Sequence, residues 1–281
     1  MTLFDAAEPG IDPGAASDAP PPGRTHLALT VAYDGTGFRG FAAQPDQRTV
    51  AGELGRALAQ YLRDDVADVV GAGRTDAGVH ARAQVVSCDL PGSTDLVALT
   101  GSVNALCRPH IAVRDAQWAD PGFDARFSAT WRRYRYLVLN TPTPDPMLVG
   151  RAWHVREPLS LPLMNLACDG LIGEQDFTSF CRRPDTPEGA QPASMKRYVM
   201  SAGWVDNGDG TLVFDIRANA FCHQMVRSVT GFLVEVGLRR RPASDTRAVI
   251  LGRDRRLAPL LAPPQGLTLW EVGYDGVRIH P

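Results

Sequence analysis

A strand–helix–strand–strand–helix–strand pattern runs through residues 26–118, and a second of the same kind through 132–274. This repetition restricts the fold more than any other feature of the chain. In the first half, His26–Tyr33 alternates and is rich enough in β-branched residues to read as a strand. Thr49 is placed to cap a helix running to about Arg63, with Val50, Leu54, Leu58, Tyr61 and Leu62 on one face. Val66–Gly71 and Gln84–Asp89 read as strands on either side of a Gly-rich loop; Leu96, Leu99, Val103 and Leu106 mark a second helix, and Ile111–Trp118 a further strand. In the second half the strands are Arg132–Asn140, Tyr198–Asp206, Thr211–Arg217 and Leu267–Tyr274, and the middle two pair across a turn at Asn207-Gly208-Asp209-Gly210. Helices are expected over Leu161–Ile172, Phe221–Leu238 and Ser244–Leu251. The irregular stretch Arg182–Ala193, with three prolines, reads as a mobile surface loop. Two such units predict an α/β (α+β) chain of two ferredoxin-like βαββαβ halves, with joined antiparallel sheets and a central cleft between them. The expected division is a disordered tail at 1–24, an N-terminal half at 25–122 carrying the Gly-rich loop, and a C-terminal half at 123–281.

Composition narrows the class. The 281 residues are enough for one large domain or two smaller ones. No window reaches the ~18 uninterrupted apolar residues that a membrane helix needs. Met1–Gly23 is rich in Ala, Pro, Gly and Asp, and has neither the basic start nor the apolar run of roughly 7–15 residues of a secretory signal. It is expected to be disordered and the protein cytoplasmic. The five cysteines, Cys88, Cys107, Cys168, Cys181 and Cys222, are scattered without a C-x-x-C pair. They predict buried free thiols in a reducing compartment, not a disulfide framework or a zinc site. The net charge is −2, but the tail holds Asp5, Glu8, Asp12 and Asp18 and no base, so the remaining body is +2. Every basic residue except Lys196 is arginine, and the arginines cluster at 126–135, 239–241 and 253–256. Arginine grips phosphate with a planar fork, so a polyanionic partner is compatible with this pattern, as is a solvated basic face.

The loop Gly71-Ala72-Gly73-Arg74-Thr75-Asp76-Ala77-Gly78 is the first place to look for chemistry. Its glycines permit positive φ and close approach of backbone to a ligand. A dinucleotide loop would need glycine where Asp76 stands, and a phosphate loop would need a lysine. What remains is a carboxylate between an arginine and a histidine in a tight loop; on its own, this also reads as a turn aspartate. Asp34-Gly35-Thr36 after an apolar strand raises an aspartyl-phosphate phosphatase, but that motif needs a second aspartate where Ala32 stands.

The run Gly73-Arg74-Thr75-Asp76-Ala77-Gly78-Val79-His80-Ala81 resembles the signature loop of the tRNA pseudouridine synthase A family. Tyr33–Gly40 resembles that family's first strand and turn, and Arg126–Thr130 with Arg132–Tyr136 its central motif. Gly173–Phe180, Ala218–Arg227 and Ala262–Leu267 complete the set, in the family's order and over nearly all of the chain after the tail. Two departures stand out: Phe41 where the family often has tryptophan, and Gln224 where it frequently has histidine.

The resemblance implies the pseudouridine synthase fold and a cofactor-free, metal-free isomerisation of uridines 38, 39 and 40 in the tRNA anticodon stem-loop. It implies that Asp76 is the nucleophile. A carboxylate in that role must be ionised, so a cation beside it is expected, and Arg227 matches the family's arginine in the later helix. Tyr134 matches the tyrosine that lies against uracil; stacking there recovers ~1–3 kcal/mol of the cost of unstacking a base. Arg74 is expected on RNA phosphate or backbone, His80 to hold the loop or touch RNA, and Leu267 to line the uracil pocket. His223 is expected as a satisfied histidine at the cleft edge. The family is typically a homodimer with the anticodon arm across both subunits. A non-catalytic RNA-binding module is the competing reading, since ferredoxin-like units often bind RNA on their sheets.

Overall fold

In the computed structural model β1 (Arg24–Tyr33) leads into α1 (Val50–Leu62), whose first turn is capped as the sequence predicts: the Thr49 hydroxyl accepts from the Gly52 N–H. The structure describes residues 23–65, 69–183 and 193–275. Almost all of the tail, the start of the strand expected from Val66 and most of the loop at Arg182–Ala193 lie outside these residues. The remaining elements in chain order are β2 (Val70–Gly71), β3 (His80–Pro91), α2 (Leu96–Cys107), β4 (Ile111–Trp118), β5 (Trp131–Leu139) and β6 (Trp153–His154). They continue with α3 (Leu161–Asp169), β7 (Gly173–Asp176), β8 (Lys196–Asp206), β9 (Thr211–Ala218), α4 (Met225–Gly237), α5 (Asp245–Gly252) and β10 (Leu267–Gly273).

The described strands form one sheet, in the order β4-β1-β3-β10-β5-β9-β8-β7, with β2 beside β3 and β6 beside β5. Strand patterning follows the period of two: in β5, Arg132, Tyr134, Tyr136 and Val138 are buried, while Trp131, Arg133, Arg135 and Leu137 are half-exposed. On the half-exposed side, Arg133 and Arg135 both bond Asp215 of β9, and the Arg135 guanidinium stacks 4.1 Å from the centre of the Trp270 ring. α4 is buried on nearly every side, including Ser228 and Thr230, and Phe232 meets Phe180 edge to face at 5.7 Å.

The sheet is mostly antiparallel, but its two sides are not joined by an antiparallel pair. β10, from the end of the chain, enters between β3 and β5, antiparallel to β5 and parallel to β3 through Thr268↔His80 and Leu269↔Ala81. β2 pairs with the other end of β3, at Val70↔Ser87 and Gly71↔Val86. The free edge of β3 is thus shared by β2 and β10, and the loop Ala72–Val79 leaves the sheet at the seam between them.

Several expectations change. β3 begins at His80 rather than Gln84, because its first residues pair with β10, a partner that local pattern does not reveal. α3 stops at Asp169, and β6 and β7 were not anticipated. α4 begins at Met225, not Phe221: Gln224 sits in the left-handed region at φ 65°, which no α-helix continues through, so residues 221–224 are released from the helix. The expectation of five free thiols is corrected at two. The turn after β7 and the loop before α4 bring Cys181 and Cys222 to a Cα–Cα distance of 5.8 Å, where they form a disulfide. Cys88, Cys107 and Cys168 are free and buried.

Candidate active site

The seam loop is held from below by buried polar groups. Gln84, fully buried on β3, grips Gly73 at both ends: its amide donates to Gly73 O at 2.6 Å and its oxygen accepts from Gly73 N at 3.3 Å. Arg132 of β5 donates twice to Ala72 O, at 2.9 and 3.2 Å. Its other bonds go to the carbonyls of Ala129, Asn219 and Arg126. Burial lowers the Arg132 pKa from its ordinary value, the cost of placing a guanidinium among carbonyls rather than carboxylates. Thr75 is buried, with its hydroxyl 2.8 Å from the Tyr33 phenol oxygen, and its carbonyl accepts from Phe41 N.

The outer end of the loop is fixed by His80. Its Nδ1 accepts from Gly35 N at 3.0 Å, and its Nε2 faces the carbonyls of Gly150 at 2.9 Å and Gln265 at 3.1 Å. Gly35 is required by this packing, since a Cβ there would lie 2.0 Å from the Val79 carbonyl oxygen. Gly78 adopts φ +78° where the chain turns back into β3. The loop is therefore tied at both ends by protein contacts, which is what a positioned carboxylate needs.

Asp76 stands at the crest of this loop, half-exposed. Arg227, two residues into α4 and nearly buried, donates from Nη1 to Asp76 Oδ2 at 3.0 Å, and from Nε to Ala262 O at 2.8 Å. The pair joins residues 151 apart in sequence. His223, in the segment released from the helix, brings Nε2 to 3.3 Å from Asp76 Oδ1. Each carboxylate oxygen thus has its own partner. Tyr134 is buried beside the loop, its ring meeting Phe221 edge to face at 5.0 Å. Burial raises the Tyr134 phenol well above its usual range, with the Asp76 charge adding to the rise and Arg132 opposing it. It remains a neutral phenol at neutral pH.

The structure brings Arg227 onto Asp76 and places Tyr134 within reach of the Asp76 charge. Leu267 lies buried at the start of β10, opposite Tyr136 in register. Arg74 projects from the loop as an exposed side chain. Of the two roles expected for His80, holding the loop is the one its contacts serve: its side chain is 7% exposed and both ring nitrogens meet protein groups. Sequence reasoning missed His223 as a partner of Asp76, and Arg132 and Gln84 as supports of the loop. Position 132 did lie on the same alternating face as Tyr134, the one available sign that its side chain turns inward.

A family model described as tRNA pseudouridine synthase matches residues 167–275. The tRNA pseudouridine synthase A of Gluconobacter oxydans is 35% identical over 278 residues, covering 98% of this chain and 97% of that protein. That of Cutibacterium acnes is 40% identical, covering 89% of both chains, and that of Bacillus subtilis is 38% identical, covering 89% of this chain and 99% of its own. On the strength of these matches over nearly its whole length, the chain belongs to the tRNA pseudouridine synthase A family, a family of isomerases.

Proposed function

We propose that this protein isomerises uridines 38, 39 and 40 of the tRNA anticodon stem-loop to pseudouridine, with Asp76 as its nucleophile and without a cofactor. The observation that carries the reading is the ion pair between Asp76 and Arg227, built from the tied loop at the sheet seam and the first turn of a buried helix. In the isomerisation the bond from C1′ to N1 breaks, the base rotates, C1′ bonds to C5, the C5 proton leaves and N1 gains a proton. An ionised carboxylate serves this sequence by adding to ring carbon 6 or to C1′, or by helping to deprotonate the sugar. Arg227 and His223 aim it, one on each carboxylate oxygen, and Tyr134 offers a neutral aromatic face on which the displaced uracil rests. Arg74 meets the RNA backbone and Leu267 closes the base pocket.

The strand orders β4-β1-β3-β2 and β10-β5-β9-β8 support reading the chain as two ferredoxin-like halves, at 25–122 and 123–281, with the site in the cleft they share. Among the described residues no helix is long and apolar enough to cross a membrane. The working assembly in this proposal is a cytoplasmic homodimer with the anticodon arm across both subunits, and light scattering of the purified protein tests it: a monomer at assay concentration would rule it out. The function itself is tested with anticodon stem-loop RNAs bearing uridine at each of the three positions. Mapping should find pseudouridine at 38, 39 and 40; no product at any of them would remove the proposal.

A further inference from the structure

Beside the site, but outside it, lies an open pocket of about 560 Å³ lined by Arg182, Arg183, Arg253 and Arg255 together with Gln224 and Asp254. Among the described residues, four guanidinium groups against one carboxylate give the lining a net charge of +3. The carboxylate is already engaged: Asp254 accepts from the backbone and side chain of Arg256, with Nη2 at 2.7 Å. Arg253 reaches Asp176 at 3.2 Å. Arg255 bonds the Ala258 carbonyl, and burial lowers its pKa from the ordinary value with no carboxylate among the described residues to oppose the shift. A half-buried cation that finds only a carbonyl among the described residues is costly unless an anion completes it.

The pocket is tied to the Asp76 cluster through the chain itself. Gln224 follows His223, whose ring touches Asp76, and Arg182 N donates to the His223 carbonyl at 3.0 Å. The Cys181–Cys222 disulfide joins the same two segments. A nucleotide turned out of a stem-loop toward Asp76 must carry its neighbouring phosphodiesters with it, and these need fixing while the base rotates. We infer that this pocket is a phosphodiester subsite, taking an RNA backbone phosphate next to the target uridine on the planar forks of Arg183 and Arg255. The inference deepens the proposed function and rests on it.

The test uses the full chain and the same stem-loop RNAs. Affinity is measured by fluorescence anisotropy from low to moderate salt for the native protein, Arg183→Gln, Arg255→Gln and the double variant. Arg56→Gln, on the exposed face of α1, is the control. Each subsite variant should lose affinity by on the order of tenfold. Each should flatten the slope of log affinity against log salt by about 0.7–0.9, twice that in the double variant, while the control keeps the native slope. Arg183 is exposed, so its variant remains informative if Arg255→Gln destabilises the fold. A second arm titrates inorganic phosphate by calorimetry. Unchanged RNA slopes in all variants would overturn the inference. So would phosphate binding that depends on these arginines while RNA affinity does not. Failure of the native protein to form pseudouridine would instead sink the proposed function, since the binding slopes can be read without it.

Discussion

Replacing Arg132 probes how the loop is held without touching the carboxylate. Its guanidinium meets the carbonyls of Ala72, Ala129, Asn219 and Arg126, and Arg132 is 9% exposed. Removing it in Arg132→Met strips four buried or half-buried acceptors of their donor. Each such loss costs about 1–3 kcal/mol, and the gain from no longer burying a cation offsets part of the total. A net destabilisation of roughly 3–5 kcal/mol is expected, the range seen when one partner of a buried charged contact is deleted. Arg132→Lys keeps the charge, but three donors on one nitrogen cannot span four carbonyls, so it should fall between the two. Urea midpoints at constant slope give the stability change. Pseudouridine formation, measured at a temperature where each variant is folded, gives the functional one. Because Ala72 belongs to the loop that carries Asp76, the rate at saturating RNA should fall at least tenfold even in the folded Lys variant. A Lys variant with the native midpoint and rate would refute the claim that this fork supports the loop.

Arg227→Gln should lower the rate at saturating RNA by about 10²–10³-fold, with a smaller change in RNA affinity, because it removes a preorganised charge from the carboxylate proposed as nucleophile; single-turnover and binding measurements separate the two effects. Gly35→Ala places a Cβ on the Val79 carbonyl and should destabilise by roughly 1–3 kcal/mol in a thermal or urea melt; a neutral result would mean that the first turn and the loop do not pack as described. For Asp215, burial pushes the carboxyl up, and the hydrogen bonds and charges of Arg133 and Arg135 more than reverse it, leaving the pKa below its ordinary 3.8. The stabilisation is therefore complete above about pH 4 and is lost as pH falls through the lowered folded value. Native protein should lose stability on acidification below pH 4 more steeply than Asp215→Asn, and parallel acid-unfolding curves would contradict this.

Much of the fold was legible because it is local. Thr49 announces its helix through a capping hydroxyl, the turn at 207–210 fixes a hairpin, and period-two alternation marks β5. The seam was not legible. A parallel pair between β10 and the first residues of β3 couples segments almost 190 residues apart, and nothing in either segment favours it locally. The shortened start of α4 was hidden for a different reason: Phe221 and Cys222 extend the apolar run of the helix, and the residue type at Gln224 does not announce its left-handed conformation. That break is what turns His223 toward Asp76 and Phe221 toward Tyr134. The Cys181–Cys222 pairing likewise depends on two turns meeting in space. Asp76, Arg227 and Tyr134 were named from motifs, while their supports, Gln84 and Arg132, look in sequence like ordinary strand residues.

Asp76→Asn tests the central claim most directly. The change keeps the size of the side chain and a hydrogen-bonding oxygen for Arg227, and removes only the ionised carboxylate. Native and variant proteins are incubated with the three stem-loop RNAs, bound RNA is measured, and pseudouridine is mapped at each position. The account predicts that the variant binds the RNAs within a few-fold of native affinity and forms no pseudouridine at 38, 39 or 40. Product from the variant at a rate approaching the native one would show that the carboxylate is not the nucleophile.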